Sequence, residues 1–221
     1  MDRPQATLRH GVRGPARFIT LEGGEGVGKS TQLKALHSAL TVRGIDCVLT
    51  REPGGSSSAE AIRNLLLTGE DAGLSAEAEA LLFAAARADH VEKTIKPALA
   101  RGRWVLSDRF LDSSLAYQGG ALGLGIDRVR DLYRFACGNF LPDRTLVLML
   151  DGAEGAERAR ARDTDGADRI GGRSAEYHRK VDTAFRTIAA TEPERVRLIN
   201  ASGSPENVTA KLVEALKDLL P

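Results

Sequence analysis

The chain has 221 residues, 42% of them hydrophobic, enough to bury the core of one domain. Its 31 Lys and Arg nearly cancel its 30 Asp and Glu, and a net charge of +1 argues against a general nucleic-acid- or membrane-binding surface, so any cationic site must be local. Cys47 and Cys137 alone do not make a disulfide framework and fit a reducing cytoplasm, and no apolar stretch nears the roughly 20 residues of a membrane helix.

Residues 1–16 carry charge but no apolar core, so they are read as a flexible N-terminal extension, with 17–221 as a single domain. Arg17–Glu22 alternates and is β-rich, which predicts the first strand. The run Gly23-Gly24-Glu25-Gly26-Val27-Gly28-Lys29-Ser30-Thr31 follows, and its Gly23, Gly28, Lys29 and Ser30 fit the phosphate-loop pattern G-x-x-x-x-G-K-[ST]. Leu33, Leu36 and Leu40 then recur at helical spacing, so Lys29–Val42 is the first helix. Asp46–Thr50 is the second strand, with Arg51-Glu52-Pro53-Gly54-Gly55 as the loop at its exit. Helices are predicted near Ser57–Leu67 and over about Ser75–Ala100, the latter with Pro97 kinking its last turn. Arg103–Ser107 is the third strand, ending at Asp108, and helices near Asp112–Gln118 and Ile126–Cys137 flank a glycine-rich turn. Thr145–Leu150 is a nearly unbroken apolar strand, the character of a parallel strand covered on both faces. A helix over 153–162, a polar loop over 163–173 and a helix over Ser174–Thr191 precede the last strand, Arg195–Asn200. The last helix is Ser204–Leu220, with Ser204 and Asn207 as its cap.

Five strands interleaved with helices imply an α/β fold, a three-layer doubly wound five-stranded parallel sheet. Ligands of such sheets collect at the C-terminal ends of the strands. The exits to search are Gly23–Gly28, Arg51–Gly55, Asp108–Phe110 and the stretch from Asp151 onward.

At the first exit, glycines let the backbone curl around an anion, so that its N–H groups and the helix N-terminus face phosphates. Lys29 adds a mobile positive charge, and the Ser30 hydroxyl is a Mg²⁺ ligand. At the third exit Asp108 is placed to hold Mg²⁺ through water, and Arg109 to bridge two phosphates. A phosphate loop alone serves ATPases, GTPases and kinases. No N-K-x-D guanine-reading motif occurs, and the four histidines lack ligand spacing.

The segments EGGEGVGKST, TREPGGS, LLFAAARADH, SDRFLDSSLAYQGG and ERARAR…DRI, in this order over about residues 17–221, closely resemble the thymidylate kinases, P-loop nucleoside monophosphate kinases. The resemblance implies the P-loop NTP hydrolase fold type with a small lid, ATP–Mg²⁺ as phosphoryl donor, dTMP as acceptor, and a cytoplasmic homodimer. Arg51 would clamp the acceptor phosphate. Phe83 and Arg87, on one helix face, would stack on the pyrimidine and donate to a thymine carbonyl. Ser114, Tyr117 and Gln118 would line the sugar and base pocket, with Tyr117 where a ribose 2′-hydroxyl would need room. Glu25 would accept from the acceptor's 3′-hydroxyl and orient Arg51. The remaining alternatives are another P-loop phosphotransferase, such as a deoxynucleoside kinase, or a nucleotide-binding switch.

Members of this family carry a further arginine either in the phosphate loop or in a closing lid. The phosphate loop here has none, whereas 158–173 holds Arg158, Arg160, Arg162, Arg169 and Arg173. A lid near 158–173 is therefore expected to supply the catalytic arginine, with Arg162 and Arg169 first in line beside Lys29 and Arg109. Gly171-Gly172 stands where relatives would carry an acidic residue, and residues 1–16 have no counterpart in the motif set.

Overall fold

The computed structural model describes residues 14–68, 73–150 and 169–221. Its elements in chain order are β1 (Phe18–Gly23), α1 (Lys29–Val42), β2 (Cys47–Arg51), α2 (Ser57–Thr68), α3 (Ala76–His90), α4 (Lys96–Ala100), β3 (Trp104–Asp108), α5 (Leu111–Ser114), α6 (Ile126–Cys137), β4 (Arg144–Met149), α7 (Ala175–Thr191), β5 (Val196–Asn200) and α8 (Pro205–Glu214). The strands form one parallel sheet in the order β2-β3-β1-β4-β5. Every residue of β1 and β4 is buried, as the apolar run at 145–150 predicted.

Leu33, Leu36 and Leu40 of α1 and Val208 and Leu212 of α8 cover one face of the sheet with Leu21, Leu106 and Leu148. The opposite face carries Phe18, Val105 and Val147 under Leu115, Tyr133, Val181 and Phe185. From β1 the chain runs outward to β2, returns to β3, and only later crosses to β4 on the other side of β1. The crevice of the doubly wound sheet therefore opens beside β1. Register sets Arg51 beside Asp108, and Asp108 beside Leu21, so three strand exits adjoin the phosphate loop.

Predicted strands lie within a residue or so of those observed, and α1 begins and ends as predicted. Ser75, Ser174 and Ser204 cap their helices by accepting from the N–H groups of Ala78, Tyr177 and Asn207. Three helices differ from expectation. The long helix of 75–100 widens into a π-turn at Val91–Ile95 immediately before Pro97, whose missing N–H and bulky ring are accommodated by the wider turn. The helix expected over 112–118 is the short α5 followed by a π-turn, Leu115–Ala121. Its two glycines let it pack closely on its neighbours: a Cβ at Gly120 would lie 2.7 Å from the Ala184 Cβ of α7, and one at Gly119 would lie 3.2 Å from the Ile126 Cα. The last helix stops at Glu214, and turns carry the chain onward. The expected helix over 153–162, Asp151, most of the expected lid and residues 1–13 of the expected extension lie outside the described residues. Among the described residues no helix is long and apolar enough to cross a membrane.

Candidate active site

The loop from Gly23 to Gly28 wraps the N-terminus of α1 with Gly23, Gly26 and Gly28 at positive φ. Gly23 is required twice over, because a Cβ there would sit 2.4 Å from the carbonyl oxygen of Leu148 on the neighbouring strand. The Lys29 ammonium turns back into the loop, donating to the carbonyls of Gly24 at 2.6 Å and Gly23 at 3.1 Å. Burial, then the nearby Arg109 charge, pulls its pKa down to about 8. Ser30 Oγ donates to Asp108 Oδ2 at 3.0 Å, joining the two candidate Mg²⁺ ligands across two strand exits.

Arg109 follows Asp108 with a left-handed backbone, φ +67°, unusual for a residue bearing a Cβ. Its N–H donates to Leu21 O at 2.9 Å, and Nη1 donates to Gly23 O and to Ser113 Oγ, each at 3.1 Å. Nη2 pairs with the Glu25 carboxylate, and the guanidinium lies 5.1 Å from the centre of the Tyr117 ring. Tyr117 reaches Glu25 as well, at 3.5 Å. The acid in the phosphate loop thus meets Arg109; Arg51, which it was expected to orient, pairs with Glu60 at 3.0 Å and keeps 55% of its side chain exposed.

Arg87 is buried, and its Nε donates to Glu52 Oε2 at 2.7 Å. Nη2 donates to the Phe110 carbonyl and to Ser114 Oγ, both at 3.0 Å, which leaves Nη1 outside these bonds. Glu52 Oε1 lies 2.9 Å from His90 Nδ1, and His90 Nε2 lies 2.6 Å from Thr50 Oγ1. An ionised carboxylate only accepts, which puts the His90 hydrogen on Nδ1. Phe83 sits one turn before Arg87, half-buried. Gln118 donates to Glu79 Oε1 at 2.9 Å.

A single cavity of about 330 Å³ collects these groups. Glu25, Arg51, Phe83, Arg87, Arg109, Ser114, Tyr117 and Gln118 all line it, with Lys29, Ser30 and Asp108 at the phosphate-loop end. Glu52 and Arg63 line it too and were not anticipated; Arg63 Nη1 donates to Pro53 O at 2.7 Å, fastening the Arg51 loop. Arg169 is not beside Lys29: its Nε donates to Leu66 O at 2.9 Å and its Nη2 to Glu79 Oε2 at 2.7 Å. Arg173 also binds Glu79, at 2.5 Å, and donates to the Tyr177 hydroxyl at 2.6 Å. Arg162 lies outside the described residues.

Glu22, a fully buried carboxylate on β1, is not among the expected site residues. Burial, then the neighbouring Asp112 charge, pushes its pKa up to about 7. An acid in an otherwise apolar central strand is the signal that could have revealed it, since such a group needs partners.

The geometry is that of a phosphate loop facing an arginine-lined cavity. Consistent with it, the family model "Thymidylate kinase" matches residues 21–212. A thymidylate kinase of Rhizorhabdus wittichii is 59% identical over 207 residues, covering 94% of this chain and all of that protein. One from a Bradyrhizobium species is 48% identical over 216 residues, covering 97% of this chain and 95% of the relative. The crystal structure of thymidylate kinase from Ehrlichia chaffeensis superposes with a TM-score of 0.75 at 32% identity, over 92% of this chain and 99% of that one. The chain belongs to the thymidylate kinase family, phosphotransferases that convert dTMP to dTDP.

Proposed function

We propose that two nucleotides meet end to end in this crevice, ATP with its phosphates on Gly23–Thr31 and dTMP in the cavity beyond. The observation that carries this reading is that Arg51, Arg87 and Arg109 converge with Phe83 and Tyr117 on one cavity whose far end is Lys29. Phe83 stacks on the pyrimidine, Arg87 donates to a thymine carbonyl, and Ser114 and Gln118 line the base and sugar. Tyr117 fills the room a ribose 2′-hydroxyl would need. Glu25 accepts from the 3′-hydroxyl, and Arg51 takes the acceptor phosphate as a fork. An acceptor phosphate oxygen attacks the γ-phosphorus while the bond to the β–γ bridging oxygen breaks, releasing ADP. Little covalent work falls to the protein, and positioning plus cations carry the rate. Lys29 leaves its own loop carbonyls for the phosphates, and Arg109 bridges donor and acceptor. Arg162 and Arg169 are the lid candidates, with Arg169 needing to leave Glu79 to take part.

A hydroxyl and a carboxylate already in contact, Ser30 and Asp108, are hard oxygen ligands suited to Mg²⁺, with substrate phosphates completing the set. Mg²⁺, when bound, neutralises charge on the donor phosphates. Exposed Leu65, Leu81 and Phe135 on the adjoining helices α2, α3 and α6 support a homodimer packed through that layer. Two buried free thiols support a reducing, cytoplasmic setting.

The test is ADP release from ATP–Mg²⁺ with dTMP, dUMP, UMP, GMP and thymidine in turn. dTMP should give the highest kcat/KM; another acceptor exceeding it tenfold would refute the assignment.

A further inference from the structure

Arg109 holds two conditions at once: a left-handed backbone in a residue with a Cβ, and a half-buried guanidinium at the junction of loop and cavity. Such a conformation persists only where its surroundings over-determine it. Those surroundings converge on Glu22. Its Oε1 accepts from the N–H groups of Phe110 at 2.8 Å and Ser113 at 3.2 Å, which bracket the turn after Arg109. Its Oε2 accepts from Ser113 Oγ at 2.5 Å, and that same hydroxyl oxygen accepts from Arg109 Nη1 at 3.1 Å. A serine hydroxyl has one hydrogen, so committing it to Glu22 turns its lone pairs toward Arg109.

From this geometry we propose that Glu22 is a positioning residue, acting through Ser113 to fix the Arg109 guanidinium for the acceptor phosphate. The proposal rests on the reading of Arg109 as a phosphate ligand. Glu22 itself touches no substrate; it lies beneath the loop, with all three of its contacts on the Phe110–Ser113 turn. In Glu22→Gln the side-chain amide would donate to Ser113 Oγ instead of accepting its hydrogen, leaving the hydroxyl free to rotate its lone pairs away from Arg109. Shape and volume stay nearly constant, so the fold persists while the guanidinium loses its fixed seat.

The experiment is a mutant cycle read in steady-state kinetics on the full chain with ATP–Mg²⁺ and dTMP. Glu22→Gln, Ser113→Ala and Arg109→Ala are made singly, then combined. A displacement near 1 Å at a reacting group costs about 10²-fold, so Glu22→Gln should lower kcat/KM for dTMP by about 10- to 100-fold while the KM for ATP stays within about twofold. Because the effects share one route, Glu22→Gln should add less than about threefold on top of Ser113→Ala or Arg109→Ala. Independent, multiplying effects with Arg109→Ala impaired would overturn the positioning role and leave the reading of Arg109 standing. An unimpaired Arg109→Ala would remove that reading and the proposal together. Loss of dTMP and ATP parameters in equal measure, with a lowered melting temperature, would mark Glu22 as merely structural and also refute it. If Glu22→Gln fails to fold, Glu22→Asp keeps the charge at shorter reach and is read by the same criteria.

Discussion

Removing Arg87 separates recognition from folding only if the acid behind it is removed as well. Arg87 and Glu52 are each about 3% exposed and lie 2.7 Å apart. Replacing Arg87 by Met leaves Glu52 buried with one fewer counter-charge, a change that costs about 3–5 kcal/mol. His90 Nδ1 remains 2.9 Å from the other carboxylate oxygen, which places the expected loss near the lower figure. For a domain of this size, about 3 kcal/mol lowers Tm by roughly 6–12 °C. Adding Glu52→Gln removes the orphaned charge and keeps an acceptor for His90, so Arg87→Met/Glu52→Gln should regain at least half of that loss. Binding should not follow. A hydrogen bond from a charged donor is worth about 1.5–3 kcal/mol, so kcat/KM for dTMP should stay about 10- to 100-fold low, with KM for ATP unchanged. Denaturant titration and a coupled ADP-release assay on the two single variants and the pair measure both quantities. If dTMP turnover returns in step with stability, Arg87 serves the fold alone and the thymine contact is wrong.

Lys29→Ala should abolish measurable turnover with little change in Tm; because the free Lys29 has a pKa near 8, wild-type ATP binding at pH 8 should also take up roughly half a proton, absent from the variant, by calorimetry in buffers of differing ionisation enthalpy. Arg162→Ala and Arg169→Ala assayed together should show a 10³–10⁵-fold loss in kcat for the one acting as the lid finger; losses under tenfold for both would refute a role for either. Gly55→Ala forces a Cβ to 2.3 Å from His90 Nε2 and 2.6 Å from Thr50 Oγ1 at φ +85°, so a loss of about 2 kcal/mol or more should appear in thermal melts. Glu22, raised from 4.5 to about 7, contributes stability that is complete below pH 4.5 and lost as pH rises through 7, so wild type should lose about 3 kcal/mol relative to Glu22→Gln over that window in pH-dependent denaturation; no relative change would contradict the burial argument.

Much of this was legible because local rules and the fold agree. The phosphate-loop spacing fixed where α1 starts, and its leucine period fixed which face it buries. The strand-exit rule then selected Arg51, Asp108 and Arg109, and register does bring Arg51 and Asp108 side by side. Features set by distant chain stayed hidden. The close packing of the 115–121 turn against α7, where Gly120 meets Ala184, depends on a residue on another helix. That Arg169 and Arg173 share Glu79 depends on α3 reaching the start of α7, and no arginine pattern near 158–173 contains that information.

The omitted acids follow one physical logic. A cavity that must receive anions needs cations, yet free arginines beside a loop would repel one another and wander. Each here is held by a carboxylate: Glu52 grips Arg87, Glu22 seats Arg109 by way of Ser113, and Glu79 draws Arg169 and Arg173 together. Two of these acids terminate or follow strands, where a rigid backbone fixes the carboxylate and hence the arginine. The arrangement sacrifices stability, since desolvating Glu22 disfavours its charged form. On the proposed reading the Arg87 and Arg109 guanidiniums are oriented before substrate arrives, which reduces reorganisation, whereas Arg169 must first leave Glu79. On that reasoning the chain's near-neutral total charge is not at odds with an anion site. Buried Glu52, Glu22 and Glu79 supply the opposite charge at the site itself.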